Sequence, residues 1–149
     1  MRLIDEWGAD LAGVAIAWIV SLLAVIAFAA EPYEASGVRV IDGDTIHVDA
    51  LHLGWDHWLH DQTIRAAGYD AWESNRQRFG AETAEDEIAK GKAATADLLE
   101  LLAAGGLRVV PPSGKSHGVY GRLVGRLIVL RDGDRVEVSE WMRERGHCR

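Results

Sequence analysis

The sequence predicts one α+β domain, mainly β, that follows an N-terminal hydrophobic helix. Two turn dipeptides, Asp42-Gly43 and Asp132-Gly133, each lie between stretches in which apolar and polar residues alternate, which is typical of β-hairpins. A segment with apolar residues at helical spacing lies between the two hairpins and ends at Gly105-Gly106. A chain of 149 residues is long enough to bury one core, so we expect a single domain.

Residues 1–30 are predicted to form a signal peptide or a membrane anchor. Leu11 to Ala30 is an almost unbroken apolar run, and Ala27-Phe28-Ala29 offers the small residues that a signal peptidase recognises. The start of the chain is acidic where a signal peptide is usually basic, and about 20 apolar residues can span a bilayer, so an uncleaved anchor stays open. A helix buried in the domain fits less well, because the run has no polar face.

Residues 31–36 are predicted to be a short linker and residues 37–149 to be the folded domain. The first hairpin runs from Gly37 to Asp49, with Asp44 at the start of the returning strand. A rigid element of this kind holds a carboxylate in a fixed direction, as a metal ligand requires.

The stretch from Leu51 to Asp61 is dense in His, Trp and Asp. We expect a long hairpin loop, within the segment 49–62, whose Trp55, Trp58 and Leu59 close over the barrel. Two alternatives are a zinc site, which uses imidazole and carboxylate ligands, and a surface on which nucleic-acid bases stack. The zinc ligands would be His52, His57 and His60 with Asp56 or Asp61, although this spacing matches no zinc signature.

The remaining elements follow from periodicity and from turn residues. The main helix should begin near Thr83 and present Ile88, Ala96, Leu99 and Leu102 on one face. The predicted strands are Thr63 to Ala67, Leu107 to Val110, Tyr120 to Leu130 and Val136 to Val138, and a last helix, Glu140 to Arg145, is expected to be capped by Ser139 and ended by Gly146.

Charged residues in three motifs suit hydrolysis of a phosphodiester. Asp44 lies in the first motif, the segment from Thr63 to Glu73 contains Arg65, Asp70 and Glu73, and Tyr120-Gly121-Arg122 adds a second arginine. Taken alone, these acids could lie on a solvated loop, with Arg65 in a surface ion pair. A net charge of −7 argues against a nucleic-acid partner, but arginines and a bound divalent cation can make one face positive.

On these three motifs, in this order, the chain resembles the staphylococcal nuclease (thermonuclease) family from about Gly37 to His147. The resemblance implies a five-stranded OB-fold barrel with packed helices. It also implies calcium-dependent, largely sequence-nonspecific hydrolysis of DNA and/or RNA that leaves 3′-phosphates. Such a nuclease belongs outside the cytoplasm, where calcium is plentiful, so we expect a secreted, periplasmic or membrane-anchored monomer.

The resemblance also assigns roles to individual residues. Asp44, Asp70 and the backbone carbonyl of Ala71 would bind Ca²⁺, Glu73 would act as general base, and Arg65 and Arg122 would hold the phosphate. Lys115, Tyr120 and Arg126 are expected to contact substrate. Ala71 and Trp72 replace the family's usual Thr and Pro. The main rival is an OB-fold module that binds single-stranded nucleic acid or protein without cutting it.

Overall fold

The structure is a computed structural model that describes residues 32–75, 77–78, 81–82, 84–111 and 122–149. The predicted N-terminal helix lies outside the described residues, as do Lys115 and Tyr120. Within the described ranges, no helix is both long and apolar enough to cross a membrane.

The described elements are mainly strands, with two helices, as the sequence predicts. In chain order they are β1 (Tyr33–Asp42), β2 (Thr45–Gly54), β3 (His57–Ala66), β4 (Gln77–Arg78), β5 (Ala81–Glu82), α1 (Glu85–Ala103), β6 (Gly106–Val110), β7 (Leu123–Arg131), β8 (Asp134–Glu137) and α2 (Val138–Glu144).

Five of these strands close into a barrel. β1 pairs antiparallel with β2 and β6, β2 with β3, and β6 with β7, while a parallel pairing of β3 with β7 completes the ring. β8 flanks β7, and β4 and β5 form a separate pair. The closed five-stranded barrel is compatible with the predicted OB-fold, and closure leaves few unpaired strand edges.

The core fills the barrel and the space beneath α1. Ile46, Val48 and Ile64 are fully buried on alternate positions of β2 and β3, as the two-residue period of a strand requires. Helix α1 adds Leu98 and Leu101 to this core. α2 adds Met142, so both helices pack on the same hydrophobic cluster.

The predicted face of α1 is wrong at Ala96 and Leu99, whereas Ile88 and Leu102 are partly buried as predicted. The buried residues are Gly91, Ala94, Leu98 and Leu101, whereas Leu99 is 57% exposed and Ala96 also faces solvent. Adjacent leucine pairs offer two apolar faces about 100° apart. The small residues Gly91 and Ala94 decide between these faces, because they allow the helix to approach neighbouring backbone closely.

The predicted loop over residues 49–62 is also wrong. β2 and β3 continue as a ten-residue ladder from the Thr45–Arg65 pair to the Gly54–His57 pair, joined by a two-residue turn at Trp55 and Asp56. Trp55 is 94% exposed at the tip and does not cover the barrel. Many side chains in this segment are polar, which favoured a loop in the sequence-based prediction. The backbone groups are nevertheless paired in the ladder between β2 and β3.

Two boundaries differ from prediction as well. β1 begins at Tyr33, which pairs with Val109, so most of the predicted linker is strand. The second hairpin turns at Asp132-Gly133 as predicted, but α2 starts at Val138 directly after β8. Ser139 therefore lies inside the helix, where it is buried, and not at the capping position.

Candidate active site

The carboxylate of Asp44 is the centre of the site. Asp44 lies in the turn between β1 and β2, where its backbone N–H donates to Asp42 Oδ1 at 3.2 Å and fixes the turn. Its side chain is 7% exposed. The Thr45 hydroxyl donates to Oδ1 at 2.8 Å, and the backbone N–H of Ala71 donates to Oδ2 at 3.2 Å. The carboxylate is thus held from both sides.

Arg65 links Asp44 to the loop that follows β3. Its Nη1 donates to Asp44 Oδ1 at 3.2 Å, and its Nη2 lies 2.9 Å from Oδ2, which makes a two-pronged ion pair. The same Nη2 also contacts Asp70 Oδ1. Two carboxylates from different parts of the chain therefore converge on one guanidinium.

Burial dominates the electrostatics of Asp44. It raises the pKa of this carboxyl from 3.8 to about 6, and the nearby charge of Asp42 adds to the rise. The hydrogen bond from Thr45, the charge of Arg65 and the hydrogen bond from Ala71 lower the pKa but do not cancel the cost of burial. Ionising this carboxyl is consequently costlier here than in water, and further positive charge would reduce that cost.

Close packing of small residues brings the loop to the turn. A Cβ at Gly43 would lie 2.8 Å from the Cβ of Ala71 and 2.9 Å from that of Ala94, so turn, loop and helix α1 meet where a larger residue would not fit. The Tyr69 hydroxyl donates to the carbonyl of Gly43 at 2.8 Å. Burial, followed by the charge of Asp44, raises the pKa of Tyr69, which keeps the phenol protonated as a donor.

Glu73 is positioned through its backbone. A Cβ on Gly91 of α1 would lie 2.3 Å from the Glu73 carbonyl oxygen and 2.6 Å from the Ser74 nitrogen. The glycine therefore allows the main chain at Glu73 to rest directly on the helix, two residues after Ala71. The half-buried Glu73 side chain thus starts from a backbone position that is fixed against α1.

The end of the chain holds the same loop from the other side. Ala71 forms an isolated antiparallel bridge with Cys148, and the Arg149 N–H donates to the Asp70 carbonyl at 2.9 Å. His147 Nε2 lies 2.6 Å from Asp97 Oδ2 and ties this segment to α1. The segment from Asp70 to Glu73 is thus fixed between α1 and the C-terminal residues.

The two arginines of β7 have different surroundings. Arg122 directly precedes β7, in which Val124 pairs with Arg65, so it lies at the end of β7 that borders the Asp44 site. Arg126, predicted to contact substrate, forms an ion pair with Glu137, with Nη2 2.7 Å from Oε2. This pairing, through a hydrogen bond and the charge of Glu137, raises the pKa of Arg126.

A search of known protein families found no model that matches this chain, and no curated protein matches it. What the site can do therefore rests on its own geometry, which brings Asp44, Arg65, Asp70 and Ala71 together. Glu73 follows Ala71 by two residues, and Arg122 precedes by two residues the Val124 that pairs with Arg65.

Several contributors were not singled out from the sequence. Thr45 and Tyr69 act through contacts with Asp44 and Gly43, and Gly91 acts through its lack of a side chain. A glycine within an otherwise helical pattern predicts a break or kink at position 91, whereas the helix is continuous there and the glycine allows a close approach of backbone.

The zinc ligands predicted in the β2–β3 hairpin are not brought together. His52 stacks on Trp58, with ring centroids 4.4 Å apart, and its Nε2 lies 2.8 Å from the Trp55 carbonyl oxygen. Among the described residues, a group of three potential ligands does form from His47, Asp49 and Asp61, of which only Asp61 belonged to the zinc alternative.

Proposed function

We propose that this protein is a calcium-dependent, largely sequence-nonspecific nuclease that hydrolyses DNA and/or RNA to 3′-phosphate products. The observation that carries the proposal is the convergence of Asp44 and Asp70 on Arg65. Two acids next to a positively charged fork, on the rim of a rigid barrel, suit binding of a cation and a phosphate side by side.

The acids of this site fit calcium. Asp44 and Asp70 offer carboxylate oxygens, the ligand type that calcium prefers, and the Ala71 carbonyl would be a third. The guanidinium between the two carboxylates indicates that positive charge is favourable at this point. When bound there, calcium supplies charge that offsets the negative charge of the phosphate.

The remaining roles belong to side chains of the chain itself. Arg65 and Arg122 present planar forks that match phosphate oxygens, and their effect is greatest when negative charge builds up in the transition state. Glu73, which rests through its backbone on Gly91, accepts the proton of the attacking water as general base. The water oxygen then bonds to phosphorus as the bond to the 5′ oxygen breaks, so the phosphate stays on the 3′ side and the 5′ oxygen takes its proton from solvent water.

We also propose that the domain acts as a monomer outside the cytoplasm, as a secreted, periplasmic or membrane-anchored enzyme. The apolar run from Leu11 to Ala30 supports export. We favour Arg122 over Arg126 as a substrate contact, because the charge of Arg126 is already paired with Glu137.

The test uses full-length protein in a mild nonionic detergent with single-stranded DNA and RNA, in calcium or in chelator. We expect cleavage only in calcium, and a loss of turnover of about 10²–10⁴-fold in Glu73→Gln with calcium binding unchanged. Glu140→Gln, an exposed acid on α2, is the matched control and should cleave normally. Full activity of Glu73→Gln would refute its role as base.

The arginine role is tested in the same assay. Arg122→Gln should lower kcat about 10²–10³-fold with a smaller effect on KM, because the interaction strengthens in the transition state. Arg131→Gln, an exposed arginine at the far end of β7, should leave both constants unchanged. A change in KM alone for Arg122→Gln would reduce this residue to a binding contact.

The second candidate function is a non-catalytic module that binds single-stranded nucleic acid. Trp55 and Trp58 are exposed on the β2–β3 hairpin, and a cavity of about 310 Å³ lined by Tyr33, Leu59 and Val124 lies in the described part of the barrel. Exposed aromatic rings suit base stacking. Binding without cleavage in every condition would favour this function over the nuclease.

A further inference from the structure

A second group of potential metal ligands lies on the β2–β3 hairpin, apart from the Asp44 site. His47, Asp49 and Asp61, here called the hairpin cluster, each offer one ligand atom, and these atoms lie within 4.8 Å of one another. His47 Nε2 is 3.8 Å from Asp49 Oδ1 and 3.8 Å from Asp61 Oδ1. His47 is three residues after Asp44 on β2, about 10 Å along an extended strand.

The strand register forces the two acids of the cluster together. Val48 pairs with Gln62 and Ala50 with His60, so Asp49 stands opposite Asp61. Like charges directly opposite each other on neighbouring strands destabilise a sheet. Asp61 also has a φ of 53°, a left-handed conformation that non-glycine residues seldom adopt. The hairpin therefore carries two local costs at Asp61.

His47 adds a buried polar atom without a partner. Its side chain is 20% exposed, and Nε2 itself is buried with no hydrogen-bond partner among the described residues. The nearest carboxylate oxygens, at 3.8 Å, are beyond hydrogen-bond range. A buried ring nitrogen of this kind costs free energy unless something accepts or donates to it.

Two residues on β1 border the cluster. One leaves space for it, and the other supplies part of the positive charge that its acids need. Gly37 has a φ of 62°, and a Cβ there would lie 2.2 Å from Asp49 Oδ2, so a side chain would displace this carboxylate. Arg39 Nη2 lies 3.1 Å from Asp49 Oδ1. Arg39 offsets the charge of Asp49 but does not supply a partner for the buried Nε2 of His47.

We propose that the hairpin cluster binds one transition-metal dication, of which zinc fits best. Zinc takes histidine nitrogen together with carboxylate oxygen, whereas calcium prefers oxygen alone. The centre of a triangle of this size lies roughly 2.5 Å from each corner, so small side-chain adjustments reach the bond lengths of about 2.0–2.2 Å that zinc requires. The ion satisfies His47, offsets both acids and cross-links β2 to β3.

The proposal is tested by calorimetric titration of zinc into the metal-stripped full-length protein in mild detergent. His47→Gln and Asp61→Asn should each weaken zinc binding by at least about tenfold. The controls His60→Gln and Asp56→Asn come from the same hairpin, outside the cluster, and should bind zinc like the unmodified protein. Arg39→Gln removes a competing charge without removing a ligand, so zinc should bind severalfold more tightly.

The melting temperature, measured with and without zinc, distinguishes a variant that lost a metal ligand from one that did not fold. Without metal, Asp61→Asn should melt at a higher temperature than the unmodified protein, because the opposed charges are gone. With saturating zinc the unmodified protein should melt at the higher temperature, since the variant gains less from binding. Absence of zinc binding overturns the proposal, as does binding that depends on His60 and not on His47. Neither outcome bears on the nuclease activity, which uses other residues.

Discussion

The buried carboxylate of Asp44 should lower the stability of the protein as the pH rises. Its pKa is about 6 in the folded state and 3.8 when unperturbed, a difference that corresponds to about 3 kcal/mol. Because the folded-state value is the higher one, the folded state holds the proton more tightly. The contribution of Asp44 to the free energy of unfolding is therefore largest below pH 3.8. It declines as the pH rises to about 6 and stays low above that.

Asp44→Asn isolates this effect, because asparagine has the same shape and carries no charge. The difference in unfolding free energy between the variant and the unmodified protein should shift in favour of the variant by about 3 kcal/mol between pH 3.5 and pH 7. Urea unfolding followed by circular dichroism, at several pH values in chelator, measures this difference. Contributions from other titrating groups largely cancel, since both proteins contain them.

Calcium should largely cancel the difference. A ligand at about 100 times its Kd stabilises the folded state by about 2.7 kcal/mol, which is similar to the cost of ionising Asp44. The unmodified protein should gain this amount at pH 7, and Asp44→Asn should gain little. A difference that does not change with pH would refute the raised pKa. A difference that moves the other way would mean that Arg65 outweighs burial.

Two further predictions concern residues that the sequence alone did not rank highly. Gly91→Ala would ordinarily stabilise a helix by about 1 kcal/mol, but here the new Cβ would strike the Glu73 carbonyl, so we expect a loss of about 1–3 kcal/mol in urea unfolding together with lower turnover. A more stable variant would contradict that contact. Trp55→Ala at the exposed hairpin tip should leave the melting temperature unchanged and lower the affinity for single-stranded DNA at least about fivefold, measured by fluorescence anisotropy in the Glu73→Gln background. The control is Leu99→Ala, an exposed apolar residue on α1, and equal affinities for all three proteins would exclude stacking on Trp55.

Local signals in the sequence predicted the elements that local physics controls. Asp42-Gly43 and Asp132-Gly133 mark tight turns because their conformations are needed within a few residues, and both hairpins turn where predicted. The ladder through residues 49–62 was missed because several of its outward residues are His and Asp, and Asp is depleted in strands even though Trp is enriched there. The pairing of this hairpin with β1 and β7 depends on contacts far apart in sequence.

The same distinction applies to the site. Residue type in three motifs indicated Asp44, Arg65 and Asp70, and the family resemblance added Ala71. The structure brings these four into contact, with Ala71 contributing its N–H to Asp44. The supporting contacts could not be predicted locally. The bridge from Ala71 to Cys148 and the close approach of Glu73 to Gly91 join segments that no periodic pattern relates. These contacts depend on the long-range packing of the folded barrel and not on local sequence.

The charges around Asp44 give the strongest physical argument for a dication. Asp42 and Asp44 lie in one turn, Asp70 approaches from the loop, and Arg65 is the cation that contacts Asp44 and Asp70. With all three acids ionised, they exceed the single positive charge by two. Burial makes this excess costly, because a low dielectric strengthens repulsion as well as attraction. A divalent ion would offset the excess and lower the cost of holding Asp44 ionised in its buried position. The burial that weakens the folded state without metal is therefore the feature from which we expect a strong response to a cation.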